Sequence, residues 1–468
     1  MSLADWIAYA DRLVWGPWML ALLTGTGVFL LFRTRFLPWR NLGWALRSVL
    51  SREARQGGTD GISPFSALMT ALAATIGTGN IAGVATALVA GGPGALVWME
   101  LSALLGLSSK CAECLLAVKY RQRDSRGELR GGPMYTMRLG LERRGGELLA
   151  ALFALFTLPA SLGMGDMAQA NAIAEVLRGS VPAHAVGAVT AGLALLVILG
   201  GIRRIARVAG ALVPAMAAVY LLAGLTVLLG HLPALPGALA EMFRLALSPS
   251  AAAGGAAGTV TASALEAARW GLARGCFSNE AGMGSAAIPA ASAASGSPAR
   301  QGYLNMTGTV FDTLLVCTVT GLCICASGVL GAVDSAGAPV NGAALTALAF
   351  ETVLGPAGGL LVSGCVILFA FSTILGWAYY GETALAYLTG GRGLLPYRLL
   401  YALAAWWGAS ESLEVVWGLS DIFNALMAVP NLISLLLLSG TVRRDLAAFQ
   451  PVIRRERRAR LRKYRQNV

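Results

Sequence analysis

The chain has 468 residues, of which 56% are hydrophobic and 13% are charged. About a quarter of the residues are charged in a typical soluble protein, so this composition excludes an ordinary soluble domain and indicates an integral membrane protein. The net charge of +12 does not indicate a nucleic-acid partner, because the basic residues lie between apolar runs and not along a face with interleaved aromatic residues.

About eleven apolar runs are long enough to cross a bilayer, which needs roughly 20 residues per helix. The segment 336–356 is predicted to be an external re-entrant or amphipathic piece. The predicted spans are, in chain order, 15–33, 65–90, 94–118, 149–177, 184–200, 207–230, 260–290, 303–328, 357–388, 396–410 and 413–440.

The basic residues predict the orientation of these spans, because Lys and Arg collect in the cytoplasmic connections. They are dense in alternate connections, for example from Lys119 to Arg144, and again in the tail from Arg443 to Arg465. We therefore expect a multi-pass protein of a bacterial-type inner (plasma) membrane, with the N-terminus outside and the tail in the cytoplasm, where anionic lipid can attract it.

Two of the predicted spans are interrupted by glycine and polar residues. Thr75–Asn80 reads Thr-Ile-Gly-Thr-Gly-Asn, and the second interruption runs from Gly275 to Ser285. Such breaks are typical of secondary transporters, in which they line a cavity near the bilayer midplane. The broken spans run in opposite directions five crossings apart, which predicts two inverted five-helix repeats. The predicted organisation is an extra helix with a basic connection, the two repeats and a basic tail, over 1–60, 61–232, 233–440 and 441–468.

Several long ungapped blocks of the sequence form a specific pattern. They are Phe65 to Tyr120, including Gly77 to Thr86 and Gly91 to Ala95, then Gly131 to Tyr135, Ser278 to Ser285, Phe369 to Trp377 with Tyr380 to Glu382, and Asp421 to Leu438. These blocks resemble the alanine/glycine:cation symporter family, also called sodium:alanine symporters. The resemblance implies an all-α, LeuT-like fold with discontinuous first and sixth core helices, and sodium-driven uptake of alanine or glycine. It implies neither an enzyme nor an organic cofactor, and no obligate protein partner is evident.

A small neutral amino acid is a zwitterion, so a buried site must offer donors to its carboxylate. The backbone N–H groups of Thr78 and Gly79, freed at the first break, are predicted to do so, with help from the half-helix dipole. Gln169 can add a side-chain donor, and the resemblance places a substrate contact there. The alternative for Gln169 is an amide that only links two helices.

The ammonium group needs acceptors from the opposite side of the same gap. Backbone carbonyls of Phe277, Ser278 and Asn279, at the second break, are the natural candidates. Phe277 and Trp377 are the best candidates for walls that limit the size of the substrate side chain, although a buried aromatic residue is more often ordinary packing.

Sodium prefers about five or six oxygen ligands, as other hard cations do. One predicted site uses the Thr75 carbonyl, the Asn80 amide oxygen, a Thr307 or Thr309 hydroxyl and the substrate carboxylate.

A second sodium site is implied by the resemblance to the LeuT-like arrangement. It would join the carbonyls of Ala73, Ile76 and Phe369 to the hydroxyls of Ser372 and Thr373. Adjacent Ser and Thr on a membrane helix also occur as ordinary residues that bond the preceding turn, so this structural alternative stays open.

Acidic residues inside a membrane are rare and functional by default. Glu280 adjoins the second break and Asp312 is expected to face it from the next span, so both are candidates for a gate or an ion path. Asp166, three residues before Gln169, stands where the family more usually has Asn and could shift ion or proton coupling. Glu113, next to Lys110, is interpreted as a snorkelling ion pair near a helix end.

Four other functions are weighed against the sodium symporter. A proton-coupled carrier could use Asp166 or Asp312, although no histidine is predicted at mid-membrane. A receptor that senses amino acids would bind substrate in the same pocket without flux. A channel is disfavoured because a filter normally repeats one loop type around an axis, and the residue patterns of hydrolytic enzymes are lacking.

Overall fold

The computed structural model describes residues 3–58, 61–124, 127–142, 145–247, 264–410 and 414–466, and they are mostly helical. Up to residue 230 the helices are α1 (Leu3–Val14), α2 (Pro17–Arg33), α3 (Leu37–Arg40), α4 (Leu42–Val49), α5 (Arg52–Arg55), α6 (Pro64–Thr75), α7 (Ala82–Gly91), α8 (Gly94–Lys119), α9 (Pro133–Leu141), α10 (Gly146–Leu162), α11 (Ala168–Val176), α12 (Ala183–Ile198) and α13 (Gly201–Gly230). The remaining helices are α14 (Leu235–Leu247), α15 (Ala264–Asn279), α16 (Ala287–Ala291), α17 (Pro298–Thr309), α18 (Thr318–Ser327), α19 (Gly342–Leu354), α20 (Pro356–Thr389), α21 (Leu394–Gly408) and α22 (Glu414–Gln466).

The predicted all-α class is confirmed, with one small addition. Strands β1 (Gln122–Arg123) and β2 (Leu129–Arg130) form a short antiparallel pair. Between helices, a 3-10 turn covers Thr78–Asn80, and π-helical segments cover Gly163–Met167 and Val310–Cys317. The two π segments join α10 to α11 and α17 to α18.

Seven helical stretches in the described chain are long and apolar enough to cross a membrane, and further apolar helices of 10–17 residues include both α6 and α7. The apolar span predicted at 15–33 is preceded by another helix, because α1 ends at Val14 and α2 begins at Pro17. Helix α19 lies within the segment predicted as external or amphipathic, and the Thr346 hydroxyl on it donates to the Ile81 carbonyl over 3.1 Å. The number of eleven crossings and the inverted repeat stay predictions.

Local sequence explains where the helices near the breaks begin. Ser63 precedes α6, its hydroxyl accepts the Ser66 N–H over 3.0 Å, and Pro64 occupies the first helical position. Ser297 and Pro298 begin α17 in the same way, with the Ser297 hydroxyl accepting the Arg300 N–H. A capping hydroxyl followed by proline satisfies free N–H groups and preorganises the first turn.

Small residues let the helices that carry the breaks approach each other closely. A Cβ added at Gly271 on α15 would lie 2.2 Å from the Ala95 carbonyl oxygen on α8, and one at Gly302 on α17 would lie 2.6 Å from the Cys111 carbonyl oxygen. Membrane helices pack mainly by such close contact, since lipid gives little hydrophobic drive for association. Helix α8 therefore holds α15 and α17 tightly, while α20 packs against α6, α10 and α13.

The last helix, α22, is continuous from Glu414 to Gln466. The boundary predicted between residues 440 and 441 therefore falls inside one helix, which joins the final apolar stretch directly to the basic tail.

Candidate functional site

The first predicted break is present in the structure. Helix α6 ends at Thr75, and the chain passes through the 3-10 turn before α7 begins at Ala82. The Asn80 side-chain oxygen accepts the Gly77 N–H over 2.9 Å, which closes the turn. Among the described residues, no acceptor receives the N–H groups of Thr78 and Gly79. The break therefore leaves two backbone donors free at this depth of the protein.

The second break begins later than predicted. Helix α15 continues to Asn279, so the prediction of an interruption starting at Gly275 was wrong at that end. Gly275 serves packing, because a Cβ there would lie 2.1 Å from the Ser102 hydroxyl on α8. The chain turns at Glu280, whose φ of 54° is unusual for a residue with a side chain, and continues through Gly282 and Gly284 at φ of 94° and 84°.

The two breaks face each other. A Cβ added at Gly79 would lie 3.5 Å from the Phe277 ring and 3.9 Å from the Ser278 Cα. Within the described chain, no N–H or O–H group donates to the Phe277 and Ser278 carbonyls at the end of α15. The two half-helices thus contact each other at Gly79 and Phe277, and each carries main-chain groups that have no partner among the described residues.

Asn279 differs from its two neighbours, because its carbonyl is already occupied. The Lys110 ammonium donates to the Asn279 carbonyl oxygen. Its side chain is also engaged, since Oδ1 accepts the Ala281 N–H over 2.9 Å and Nδ2 donates to the Thr313 hydroxyl over 3.3 Å. This residue ends the helix and presents no free acceptor of its own.

Gln169 reaches the first break from α11. Its Oε1 accepts the Thr78 hydroxyl over 3.1 Å, and its Nε2 donates to the Met164 carbonyl over 3.1 Å. Trp377 on α20 is fully buried and packs on the π segment before Gln169, because a Cβ at Gly165 would lie 2.2 Å from the Trp377 Cβ. In the described chain, the Trp377 indole N–H has no acceptor.

The second predicted sodium set comes together at the end of α6. The Ser372 hydroxyl lies 3.1 Å from the Ala73 carbonyl, 3.5 Å from the Ile76 carbonyl and 2.9 Å from the Phe369 carbonyl. The Thr373 hydroxyl lies 3.3 Å from the Ala73 carbonyl and 3.0 Å from the Phe369 carbonyl. Both hydroxyls thus bond carbonyls at the end of α6 and also the Phe369 carbonyl one turn back in α20, which is the back-bonding of the structural alternative.

The other predicted sodium set is less closely assembled. Asn80 uses its side-chain oxygen on the Gly77 N–H, and its amide nitrogen donates to Asp312 Oδ1 over 2.6 Å. The Thr307 hydroxyl donates to the Leu304 carbonyl over 2.6 Å, whereas the Thr309 hydroxyl has no partner in the described part of the chain. The Thr75 hydroxyl is 3.5 Å from the Leu72 carbonyl, inside its own helix.

Asp312 joins the two breaks, as its predicted position facing the second break requires. Its carboxylate accepts from the Asn80 amide of the first break, from the Ser278 hydroxyl of the second over 2.9 Å, and from the Thr313 hydroxyl over 2.8 Å. Glu280 is also fully buried and accepts from the Ser285 hydroxyl over 2.6 Å.

Asp166 lies in the π segment before α11 and is fully buried. Neither of its carboxylate oxygens has a hydrogen-bond partner among the described residues. Its acid group therefore stands one turn from Gln169 without the donors that Asp312 has.

Lys110 and Glu113 were misread from the sequence. Both side chains are only 2% exposed, and Glu113 accepts from the Asn431 amide over 2.8 Å, so the snorkelling interpretation is wrong. The helix-end cation is Lys119, which pairs with Asp445 over 2.6 Å. The sequence did contain a signal for the burial of Lys110, because a lysine inside an apolar run is a functional candidate by default.

The fold and the paired breaks define a multi-pass membrane transporter, and comparison with known proteins agrees. A solved structure titled MhsT in complex with L-phenylalanine superposes with a TM-score of 0.54 at 15% identity, covering 84% of this chain and 90% of that chain. At that identity the likeness concerns the fold alone, and it supports the LeuT-like architecture.

The family is established by sequence. The description "Sodium:alanine symporter family" belongs to a family model that matches residues 1–463, and the chain belongs to this family. Sodium/alanine symporter AgcS of Methanococcus maripaludis is 45% identical over 462 residues, covering 97% of this chain and 99% of that protein. Probable sodium/glutamine symporter GlnT of Bacillus subtilis is 35% identical, covering 93% and 88%. The chain is therefore a symporter and not an enzyme.

Proposed function

We propose that this protein imports small neutral amino acids, alanine or glycine, together with Na⁺ by alternating access. One observation carries the proposal: the N–H groups of Thr78 and Gly79 and the carbonyls of Phe277 and Ser278, which lack partners among the described residues, lie on two half-helices that contact each other at Gly79. A zwitterion placed between them would give its carboxylate to the donors and its ammonium to the acceptors. Backbone groups fixed before binding need little ordering, which favours affinity.

The proposed site would select substrates by the size of their side chain more than by its chemical character. Phe277 and the buried Trp377 are the proposed walls, and Gln169 is proposed to support the carboxylate end through its contact with Thr78. An Asn279 carbonyl held by Lys110 leaves the ammonium to Phe277 and Ser278. The name of the Methanococcus maripaludis relative, a sodium/alanine symporter, supports alanine as a substrate.

For the ion, we propose one Na⁺ among the carbonyls of Ala73, Ile76 and Phe369 and the hydroxyls of Ser372 and Thr373. The contacts of the two hydroxyls with all three carbonyls support this position. A second Na⁺ position is proposed near Thr75, Asn80, Thr307 and Thr309, where the substrate carboxylate would complete the shell. Sodium bound there would couple ion to substrate directly.

Gate or ion-path roles are proposed for three buried acids, Glu280, Asp312 and Asp166. Asp312 is the strongest of them, because its hydrogen bonds link both breaks and would have to rearrange when the half-helices move. We also propose a bacterial-type inner membrane location, with the N-terminus outside and the arginine-rich end of α22 in the cytoplasm. Membrane-impermeant labelling of single cysteines placed near each terminus tests this orientation.

The test is uptake of labelled alanine and glycine by the purified protein in liposomes. We expect saturable accumulation that follows an inward Na⁺ gradient and disappears when choline replaces Na⁺. Accumulation that is equal in both salts and follows a pH gradient instead would support the proton-coupled carrier. Saturable binding with no counterflow of labelled for unlabelled substrate would support the receptor.

A further inference from the structure

One cation lies at the transport site without belonging to any proposed substrate or ion contact. Lys110 is in the middle of α8, among the largest fully buried side chains of the described chain. Its ammonium group donates to the carbonyl of Asn279, which is the last residue of α15. A buried ammonium in a membrane helix is costly unless it is compensated, so its position needs a physical reason.

The compensation does not come from direct ion pairs. Among the described residues no carboxylate forms an ion pair with Lys110; Glu113 accepts from Asn431 and Glu280 accepts from Ser285. These two acids and Asp312 are near enough to act on it electrostatically. The ammonium is thus placed on a backbone carbonyl, and three buried acids are among its electrostatic neighbours.

That carbonyl is at the C-terminal end of a half-helix, where the helix dipole favours positive charge. The Cys276 carbonyl accepts the Glu280 N–H over 2.9 Å, and Lys110 takes the Asn279 carbonyl. Only the Phe277 and Ser278 carbonyls between them are left without donors in the described chain. The two carbonyls that accept hydrogen bonds, those of Cys276 and Asn279, therefore lie on either side of the two that do not.

We propose that Lys110 is a positioning residue for the transported amino acid. Its tethered ammonium caps the end of α15, so that the Phe277 and Ser278 carbonyls stay turned toward the substrate and the Asn279 carbonyl does not compete for the substrate ammonium. The inference rests on the proposed function and adds to it a side chain that never touches the substrate.

The experiment separates positioning from simple charge balance. Lys110→Met removes the donor, and the Lys110→Met/Glu280→Gln pair also removes one buried negative charge; Glu280→Gln alone is the reference. Lys119→Met is the matched control, because Lys119 lies on the same helix but pairs at the surface with Asp445. Each variant is measured for melting temperature, for the alanine Kd in saturating Na⁺, and for the Na⁺ midpoint of thermal stabilisation without substrate.

We expect Lys110→Met/Glu280→Gln to recover melting temperature relative to Lys110→Met, yet to bind alanine at least about tenfold more weakly than Glu280→Gln, a loss typical of one hydrogen bond to a charged group. Relative to Glu280→Gln, the Na⁺ midpoint of the double variant should change by less than about twofold, since Lys110 bonds the Asn279 carbonyl and none of the proposed sodium ligands. Alanine affinity equal to that of Glu280→Gln would overturn the proposal and reduce Lys110 to charge balance.

A measurement on the unmodified protein decides the matter if these variants do not fold. In an alanine-bound structure, the Lys110 ammonium should remain on the Asn279 carbonyl, with the substrate ammonium on Phe277 and Ser278. A substrate ammonium on the Asn279 carbonyl, with Lys110 turned away, would overturn the proposal while leaving the transport function intact. An unmodified protein that binds no small neutral amino acid in Na⁺ would remove the proposed function, and this proposal with it.

Discussion

Replacing Gly77 by Ala is the sharpest test of the proposed sodium site at the end of α6. A Cβ at Gly77 would lie 2.5 Å from the Thr373 hydroxyl oxygen, and 3.5 Å and 3.6 Å from the Thr373 Cβ and Gln169 Oε1. The backbone at Gly77, with φ −129° and ψ −157°, is an extended conformation that alanine adopts without strain. The expected effect is therefore steric and falls on a single oxygen atom.

The size of the effect follows from these distances. The hydroxyl oxygen must move by about 1 Å to reach an ordinary van der Waals separation, and this movement breaks its contacts with the Ala73 and Phe369 carbonyls. Losing one partner of a charged group costs about 1.5–3 kcal/mol, or roughly 10- to 150-fold in sodium affinity. We expect the Na⁺ concentration for half-maximal alanine uptake to rise by that factor, measured in proteoliposomes at saturating alanine.

Gly83→Ala is the control, because a Cβ at Gly83 on α7 meets nothing within 4 Å. A double-mutant cycle with Thr373→Ala isolates the contact, since Gly77→Ala should cost almost nothing more once the hydroxyl is gone. The reasoning is refuted if Gly77→Ala has the sodium dependence of Gly83→Ala, or if its effect is undiminished in the Thr373→Ala background.

Four further outcomes are expected. Gln169→Ala should weaken alanine binding by about 1–3 kcal/mol in calorimetry, and an unchanged Kd would leave Gln169 a purely structural amide. Gly79→Val should abolish alanine binding, because its branched side chain fills the proposed carboxylate position. Gly79→Ala, whose Cβ would lie 3.5 Å from the Phe277 ring, should bind alanine within about tenfold of the unmodified protein. Equal alanine affinities in the two variants would contradict the proposed carboxylate site. Asp312→Asn should lower Na⁺-driven uptake by at least about tenfold because an amide cannot accept all three hydrogen bonds, and full activity would exclude Asp312 from the ion path. Titrations in both directions should show Na⁺ and alanine raising each other's affinity by the same factor, while independent affinities would show that the ion and substrate sites are uncoupled.

Much of the site could be predicted because it is built from main-chain atoms. Gly77, Gly79 and Asn80 mark the first break directly, since two glycines and a polar residue cannot continue an apolar helix without a reason. The oxygens of Ser372 and Thr373 were placed by family resemblance, and the structure brings them to the Ala73 and Phe369 carbonyls.

What could not be predicted depends on which helix lies beside which. Gly275 was interpreted as the start of a helix break, yet it lies inside α15 and lets that helix pack closely against Ser102 on α8. Only the packing of α15 on α8 distinguishes the two roles. Glu113, next to Lys110, was interpreted as a snorkelling ion pair near a helix end. Their burial follows from α8 being enclosed by α15, α17 and α22, which no local pattern encodes.

The short stretch from Ala73 to Asn80 explains why ion and substrate should be coupled at all. Its first carbonyls, those of Ala73 and Ile76, point to the hydroxyls of α20, and its next N–H groups, those of Thr78 and Gly79, are the free donors of the break. A cation that draws the two carbonyls together also fixes the dihedral angles of the peptides that follow, because only two soft torsions separate each residue from the next. Sodium bound at the proposed site would therefore remove conformational freedom that alanine would otherwise have to remove. Coupling would then need no long pathway, since the proposed ligands of both solutes lie within one short stretch at the end of α6 and in the turn that follows it.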